Sequence, residues 1–190
     1  FLQHLAAELA KKYNLPTLAC SAAWETSDAS SFQRHLHADR IAVMGQKIKD
    51  IYLKSGLAPE RVLATGVAHF DRLFNRNKAG DDQVLQHGAI DPDKPLVLFT
   101  TDGIVFSETE QMLTGVIGAV LKMKDFQLVV KVHPREGLEQ YQSLAAKYND
   151  SRIHIVKDVD LYALIRNCEL LVTKYSTTAL EAMMIDKPVM

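Results

Sequence analysis

The feature that most constrains this chain is a repeating unit: a short apolar run closed by a glycine or a polar turn, then a helical segment. RIAVMG (residues 40–45) leads into QKIKDIYLKSG, and RVLATG (61–66) leads into Val67-Ala68-His69-Phe70-Asp71. After residue 94 the series resumes as LVLFTT (96–101), the helical segment 107–124, FQLVVKV (126–132), the helix EGLEQYQSLAAKY, and RIHIV (152–156). It ends with DLYALIRN, CELLVT (168–173), TALEAMM and PVM. Strands that are apolar at nearly every position are buried on both faces, and strands alternating with helices form parallel sheets. The fold class predicted is therefore α/β, with doubly wound parallel Rossmann-like sheets.

Residues 75–94 break the rhythm with a polar stretch rich in Gly, Asp and Pro, the composition of an interdomain linker. The expected organisation is the C-terminal part of an N-terminal Rossmann-like domain over residues 1–74, the linker 75–94, and a second Rossmann-like domain over 95–190. The chain opens inside a helical pattern, with Phe1, Leu2, Leu5, Leu9 and Tyr13 on one stripe, and ends on the first residues of a buried strand. A truncated sequence is the expectation.

Composition narrows the function classes. A formal net charge of -1 gives no electrostatic footprint for nucleic acid, so an anionic ligand must be held by a local site. The seven histidines are spread along the sequence. Cys20 and Cys168 each adjoin an apolar run and read as reduced core residues. The longest mainly apolar stretch, residues 112–120, is far short of the ~20 residues that span a bilayer. A cytoplasmic location is expected, with peripheral attachment to the inner membrane surface through missing parts as the alternative. No GxGxxG follows a strand, and GxxxxGK[ST], CxxC, HExxH and a spaced acidic cluster are all lacking. These gaps argue against nicotinamide, P-loop and zinc enzymes, and no metal or cofactor is expected.

In doubly wound sheets ligands bind beyond the carboxyl ends of the strands. The polar residues there are Thr100 to Gly103, His133 to Arg135, Asp158 with Asp160, and Tyr175 to Thr178. The run Thr173 to Glu181 carries hydroxyls into a helix start, which suits a phosphate. Thr178-x-x-Glu181 also reads as a capping box, and both readings stay open. In KVHPRE (131–136), His133 has the chemistry of a proton donor or acceptor and equally of a structural residue. Lys131 reads as a phosphate ligand or as a snorkelling surface lysine. Asp160 or its neighbour reads most simply as an N-cap.

At these residues the chain resembles the GT-B glycosyltransferase superfamily, nearest its branch of CDP-glycerol glycerophosphotransferase-like and capsule or wall polysaccharide enzymes. The UDP-N-acetylglucosamine 2-epimerases are a neighbouring group. KVHPRE is similar to that branch's K-x-H-P turn. Residues 160–190 are similar to its run of helix, strand, Y-S-S turn, acidic residue and K-P-V, and residues 37–74 to the segments that close its first domain. The resemblance implies transfer of a glycosyl or polyol-phosphate group from a UDP- or CDP-activated donor to a hydroxyl of a polysaccharide or lipid-linked acceptor. It further implies His133 as the catalytic group, with Lys131, Arg135, Ser176, Thr177, Thr178, Glu181 and Gly66 binding the donor. The alternatives it carries are a UDP-sugar 2-epimerase and a non-catalytic nucleotide-binding remnant. Two departures stand out: Lys174 where relatives often have Asp, and Ala23-Trp24-Glu25 where that branch has an H-G pair.

Overall fold

The computed structural model describes residues 2–20, 37–75, 78–103 and 106–190; Ala23-Trp24-Glu25 lies outside them. The chain divides into two compact units, Phe1–Asp71 and Arg72–Met190.

The first unit opens with helix α1 (Leu2–Lys12), whose last turn carries Lys11 and Lys12 where the helix dipole favours cations. Leu5, Leu9 and Tyr13 of its apolar stripe are exposed. Strands β1 (Leu18–Cys20), β2 (Arg40–Val43) and β3 (Val62–Ala64) pair in parallel in that order. Helix α2 (Gln46–Lys54) lays Tyr52 against Ile41, Val43 and Val62, a small core completed by Ile48, Leu53 and Leu57. Asp39 clasps the start of β1, its carboxylate accepting from Thr17 N at 2.8 Å and Thr17 Oγ1 at 2.7 Å. The core role expected of both cysteines holds for Cys168 alone: Cys20, at the end of edge strand β1, is exposed. Two histidines that are far apart in sequence meet here, the rings of His4 and His37 packing edge to face.

The second unit opens within the short helix α3 (Asp71–Phe74). Within the segment expected to link the domains, residues 78–87 form helix α4 (Lys78–His87). Its polar surface conceals two anchors: Leu85 is buried, and the buried Asp81 takes a bidentate pair from Arg166 at 2.7 and 2.5 Å. The sheet comprises β4 (Leu96–Thr100), β5 (Gln127–Lys131), β6 (Ile153–Val156) and β7 (Cys168–Thr173), all parallel, in the order β6-β5-β4-β7. The expected fifth strand begins beside β7, where Leu171 pairs with Val189 and Thr173 N donates to Met190 O at 3.0 Å. Numbered from β4, the strand order is 3-2-1-4-5, that of a doubly wound nucleotide-binding sheet.

Every residue of β4 is buried. Val97 and Phe99 face helix α5 (Phe106–Lys122), which buries Thr109, Leu113, Ile117 and Val120 at helical spacing. Helix α6 (Glu139–Ala146) adds Tyr141 and Leu144 to that layer. On the opposite face Leu96, Leu98 and Leu171 are buried where α7 (Leu161–Asn167) and α8 (Thr178–Met183) pack against β4 and β7. Asp160 is the N-cap of α7, accepting from Ala163 N at 2.9 Å. No helix among the described residues is long and apolar enough to cross a membrane.

Candidate functional site

In a sheet ordered 3-2-1-4-5 the strand connections reverse direction between the first and fourth strands, here β4 and β7, and the crevice beyond their carboxyl ends is where such folds bind ligands. The register sets Thr100 opposite Lys131 on one side and Thr173 on the other. Thr173 Oγ1 donates to Thr100 O at 3.1 Å, and the hydroxyls of Thr100 and Thr178 meet at 2.9 Å, tying the start of α8 to β4.

This arrangement corrects the capping-box reading. The N-cap of α8 is Thr177, which makes no side-chain cap bond. Thr178 turns its hydroxyl to β4, and the buried Glu181 carboxylate receives the Tyr162 phenol at 3.4 Å instead of its own helix's amides. Burial, reinforced by Glu181, lifts Tyr162 to about 12, so the phenol remains a donor. Ser176 Oγ accepts from Thr178 N at 3.3 Å, and α8 has only six residues. A phosphate at this turn would therefore rely on the hydroxyls of Ser176 and Thr177 more than on a helix dipole.

One strand further, His133 is held by backbone and side-chain bonds. Its amide donates to Thr101 Oγ1 at 2.7 Å, and Nδ1 accepts from Arg135 N at 3.2 Å. With Nδ1 accepting, the neutral imidazole carries its proton on Nε2. Glu136 is the hub beneath: it accepts from Thr101 Oγ1, from Gly103 N at 3.1 Å and from Tyr141 OH at 2.5 Å, while its own carbonyl takes the Lys157 ammonium at 2.7 Å. Burial first, then Glu136, raises the Tyr141 phenol well above its ordinary value, which keeps it protonated. Gly103 has φ +73, and a Cβ there would sit 2.6 Å from His133 Nδ1. The Thr101–Gly103 turn thus forms a wall against one side of the imidazole.

The sequence-selected residues separate into groups. Lys131, His133, Arg135, Ser176, Thr177, Thr178 and Glu181 all fall at the carboxyl-end side of the second unit's sheet, on or just after β5 and β7. Because β4 lies between those strands and strands are about 4.8 Å apart, a ligand reaching from His133 to Ser176 crosses about 10 Å. Lys131 donates to Lys157 O at 2.6 Å, and burial draws its pKa down despite Asp158 and Asp160. Arg135 is exposed. Lys174 pairs with Glu108 of α5, an interaction that raises its pKa. Gly66 belongs to the first unit, where its φ of +78 rather than any close neighbour accounts for the glycine. Sequence reasoning placed Thr101 and Gly103 at a strand end without a role and overlooked Glu136 and Tyr141 as supports. The signal available was the Glu directly after H-P-R, at the mouth of a buried sheet.

Comparison with known proteins agrees with this geometry. A UDP-GlcNAc 2-epimerase from Neisseria meningitidis solved with UDP-GlcNAc superposes with a TM-score of 0.76 at 15% identity, covering 98% of this chain and 55% of that one. The enzyme of the same name from Methanocaldococcus jannaschii, in complex with UDP-GlcNAc and UDP, gives 0.72 at 15%, covering 98% and 56%. The wall teichoic acid polymerase TagF gives 0.60 at 16%, covering 84% of this chain and 39% of that one. At such identities the TM-scores establish the shared GT-B-like fold alone, and the chain spans about half the length of the epimerases. No curated protein matches the sequence. Residues 21–190, most of the chain, match the family described as CDP-Glycerol:Poly(glycerophosphate) glycerophosphotransferase, and the chain belongs to that family.

Proposed function

We propose that the protein transfers glycerol phosphate, or a closely related polyol phosphate, from a CDP-activated donor to a hydroxyl of a growing cell-surface polymer. The family membership over residues 21–190 carries this reading. The donor would lie across the carboxyl ends of β5, β4 and β7, with the diphosphate between His133 and the hydroxyls of Ser176 and Thr177, and the ribose near Glu181. In the reaction an acceptor oxygen forms a bond to the phosphorus bearing the polyol. The bond from that phosphorus to the bridging oxygen breaks, and CMP departs with that oxygen. His133, with its proton on Nε2, suits a hydrogen bond to the departing phosphate, whose growing charge the strand-end hydroxyls also stabilise, while the proton of the acceptor hydroxyl passes to solvent. Lys131 and Arg135 supply positive charge on the same edge. No step in this scheme calls for a metal or cofactor from the chain. The proposed setting is the cytoplasm, at the inner membrane surface where a lipid-linked acceptor would be met.

The epimerase reading rests on likeness at 15% identity, which carries the fold alone. The test is CMP release and chain elongation by the full-length protein given CDP-glycerol and a poly(glycerol phosphate) primer. The proposal expects both, and their loss by at least ~100-fold in His133→Ala. Conversion of UDP-GlcNAc to its 2-epimer with no transfer from CDP-glycerol would overturn it.

A further inference from the structure

The first unit holds a cluster of metal-ligating side chains that the proposed function does not use. His4 and Glu8 stand four residues apart on α1, hence on one face of the helix. His37, on the approach to β2, closes over them. Its Nδ1 lies 3.4 Å from Glu8 Oε1, and its ring meets that of His4 with centroids 3.8 Å apart and planes at 72°. One ligand atom from each of the three residues falls within 4.8 Å of the others.

We propose that His4, Glu8 and His37 bind a divalent transition metal of the zinc type and that the ion staples α1 to the segment entering β2. Two imidazole nitrogens and one carboxylate oxygen form a ligand set that such ions use, with a water completing four-coordination. The spacing matches. For metal–ligand bonds of about 2.0–2.1 Å, two corners of a tetrahedron lie about 3.4 Å apart, which is the His37–Glu8 separation. The backbone around the site is already fixed. Thr17 and Asp39 exchange three hydrogen bonds of 2.7–2.9 Å, holding the chain two residues after His37. Lys11 competes for Glu8 Oε1 at 3.1 Å, but this ion pair is about half exposed and so weak enough to yield to a metal. His4 and Glu8 are open to solvent, which gives an ion its entry path.

The test is calorimetric titration of the full chain with Zn²⁺, paralleled by the visible spectrum of Co²⁺ as a report on coordination. One equivalent should bind and raise the unfolding midpoint, because a ligand held by the native state alone stabilises it. His37→Ala and Glu8→Gln should weaken binding by roughly tenfold or more, and His87→Ala, an exposed histidine of the second unit, should leave it unchanged. Far-UV circular dichroism matching the unsubstituted chain would confirm that these surface variants fold. Absence of stoichiometric Zn²⁺ binding would overturn the proposal. So would binding as tight in His4→Ala/His37→Ala as in the unsubstituted chain.

Discussion

Gly103→Ala tests the site most directly, because the three atoms nearest to the added methyl all belong to His133. Two penalties are separable. At φ +73 an L-residue loses about 1–2 kcal/mol relative to glycine, whatever surrounds it. The new Cβ would also stand 2.6 Å from His133 Nδ1 and 3.0 Å from Cγ, about 0.8 Å inside van der Waals contact. Relieving that overlap moves the imidazole or the turn, and overpacking of this kind costs about 1–3 kcal/mol. Gly103→Ala should thus destabilise the chain by about 2–5 kcal/mol. In a His133→Ala background, where the clash is gone, only the backbone share of about 1–2 kcal/mol should remain. Urea unfolding of the four members of this double-mutant cycle measures the difference, expected as a coupling of about 1–3 kcal/mol. Equal costs in both backgrounds would refute the claim that the turn walls the imidazole. Turnover should fall about 100-fold in Gly103→Ala through displacement of His133 by a fraction of an ångström to 1 Å.

Asp81→Asn should destabilise the second unit by about 2–3 kcal/mol in chemical unfolding, because it strips the partly buried Arg166 guanidinium of the buried carboxylate that pairs with it. Thr100→Val or Thr178→Val alone should cost about 1–3 kcal/mol by leaving one buried hydroxyl without its mate, whereas the double substitution should cost less than the sum, measured by the same method. Burial, then Lys94, depresses the pKa of His154 in the fold below its ordinary 6.5. Below 6.5 the unfolded chain therefore takes up a proton that the native chain refuses. This contribution to stability is present at neutral pH and declines as pH falls below 6.5, and His154→Asn should remove it from the stability-against-pH curve.

Much of the fold was legible because buried parallel strands are written as unbroken apolar runs. LVLFT and QLVVK announce themselves, and their alternate residues turned out to feed two different helix layers, as full burial on both faces requires. Helix α4 was not legible as part of the packed body, for a physical reason: Asp81 and Gly80 read as linker residues, and nothing local reveals that Arg166, 85 residues away, neutralises Asp81. The exposed stripe of α1 and the exposed Cys20 show the reverse limit. Apolar spacing predicts which face of an element seeks cover, not whether another part of this chain supplies it.

The candidate site repeats that division at finer scale. Residues whose placement follows from strand ends, such as His133 and Thr178, could be selected from the sequence, because the carboxyl edge of a parallel sheet is a property of the whole topology. The interactions that give them a fixed pose could not, because they link distant positions: Thr100 with Thr178, Thr101 with Glu136, Tyr162 with Glu181. Thr178 makes the consequence plain. Read locally, a Thr three residues before a Glu is a helix cap. Once the strand order sets β4 beside β7, both side chains have partners outside their own helix, the cap is abandoned, and its two residues become part of the wall at the switch point. A motif that forgoes its local bonds in favour of tertiary ones is therefore better evidence for a built crevice than the same motif in its local form.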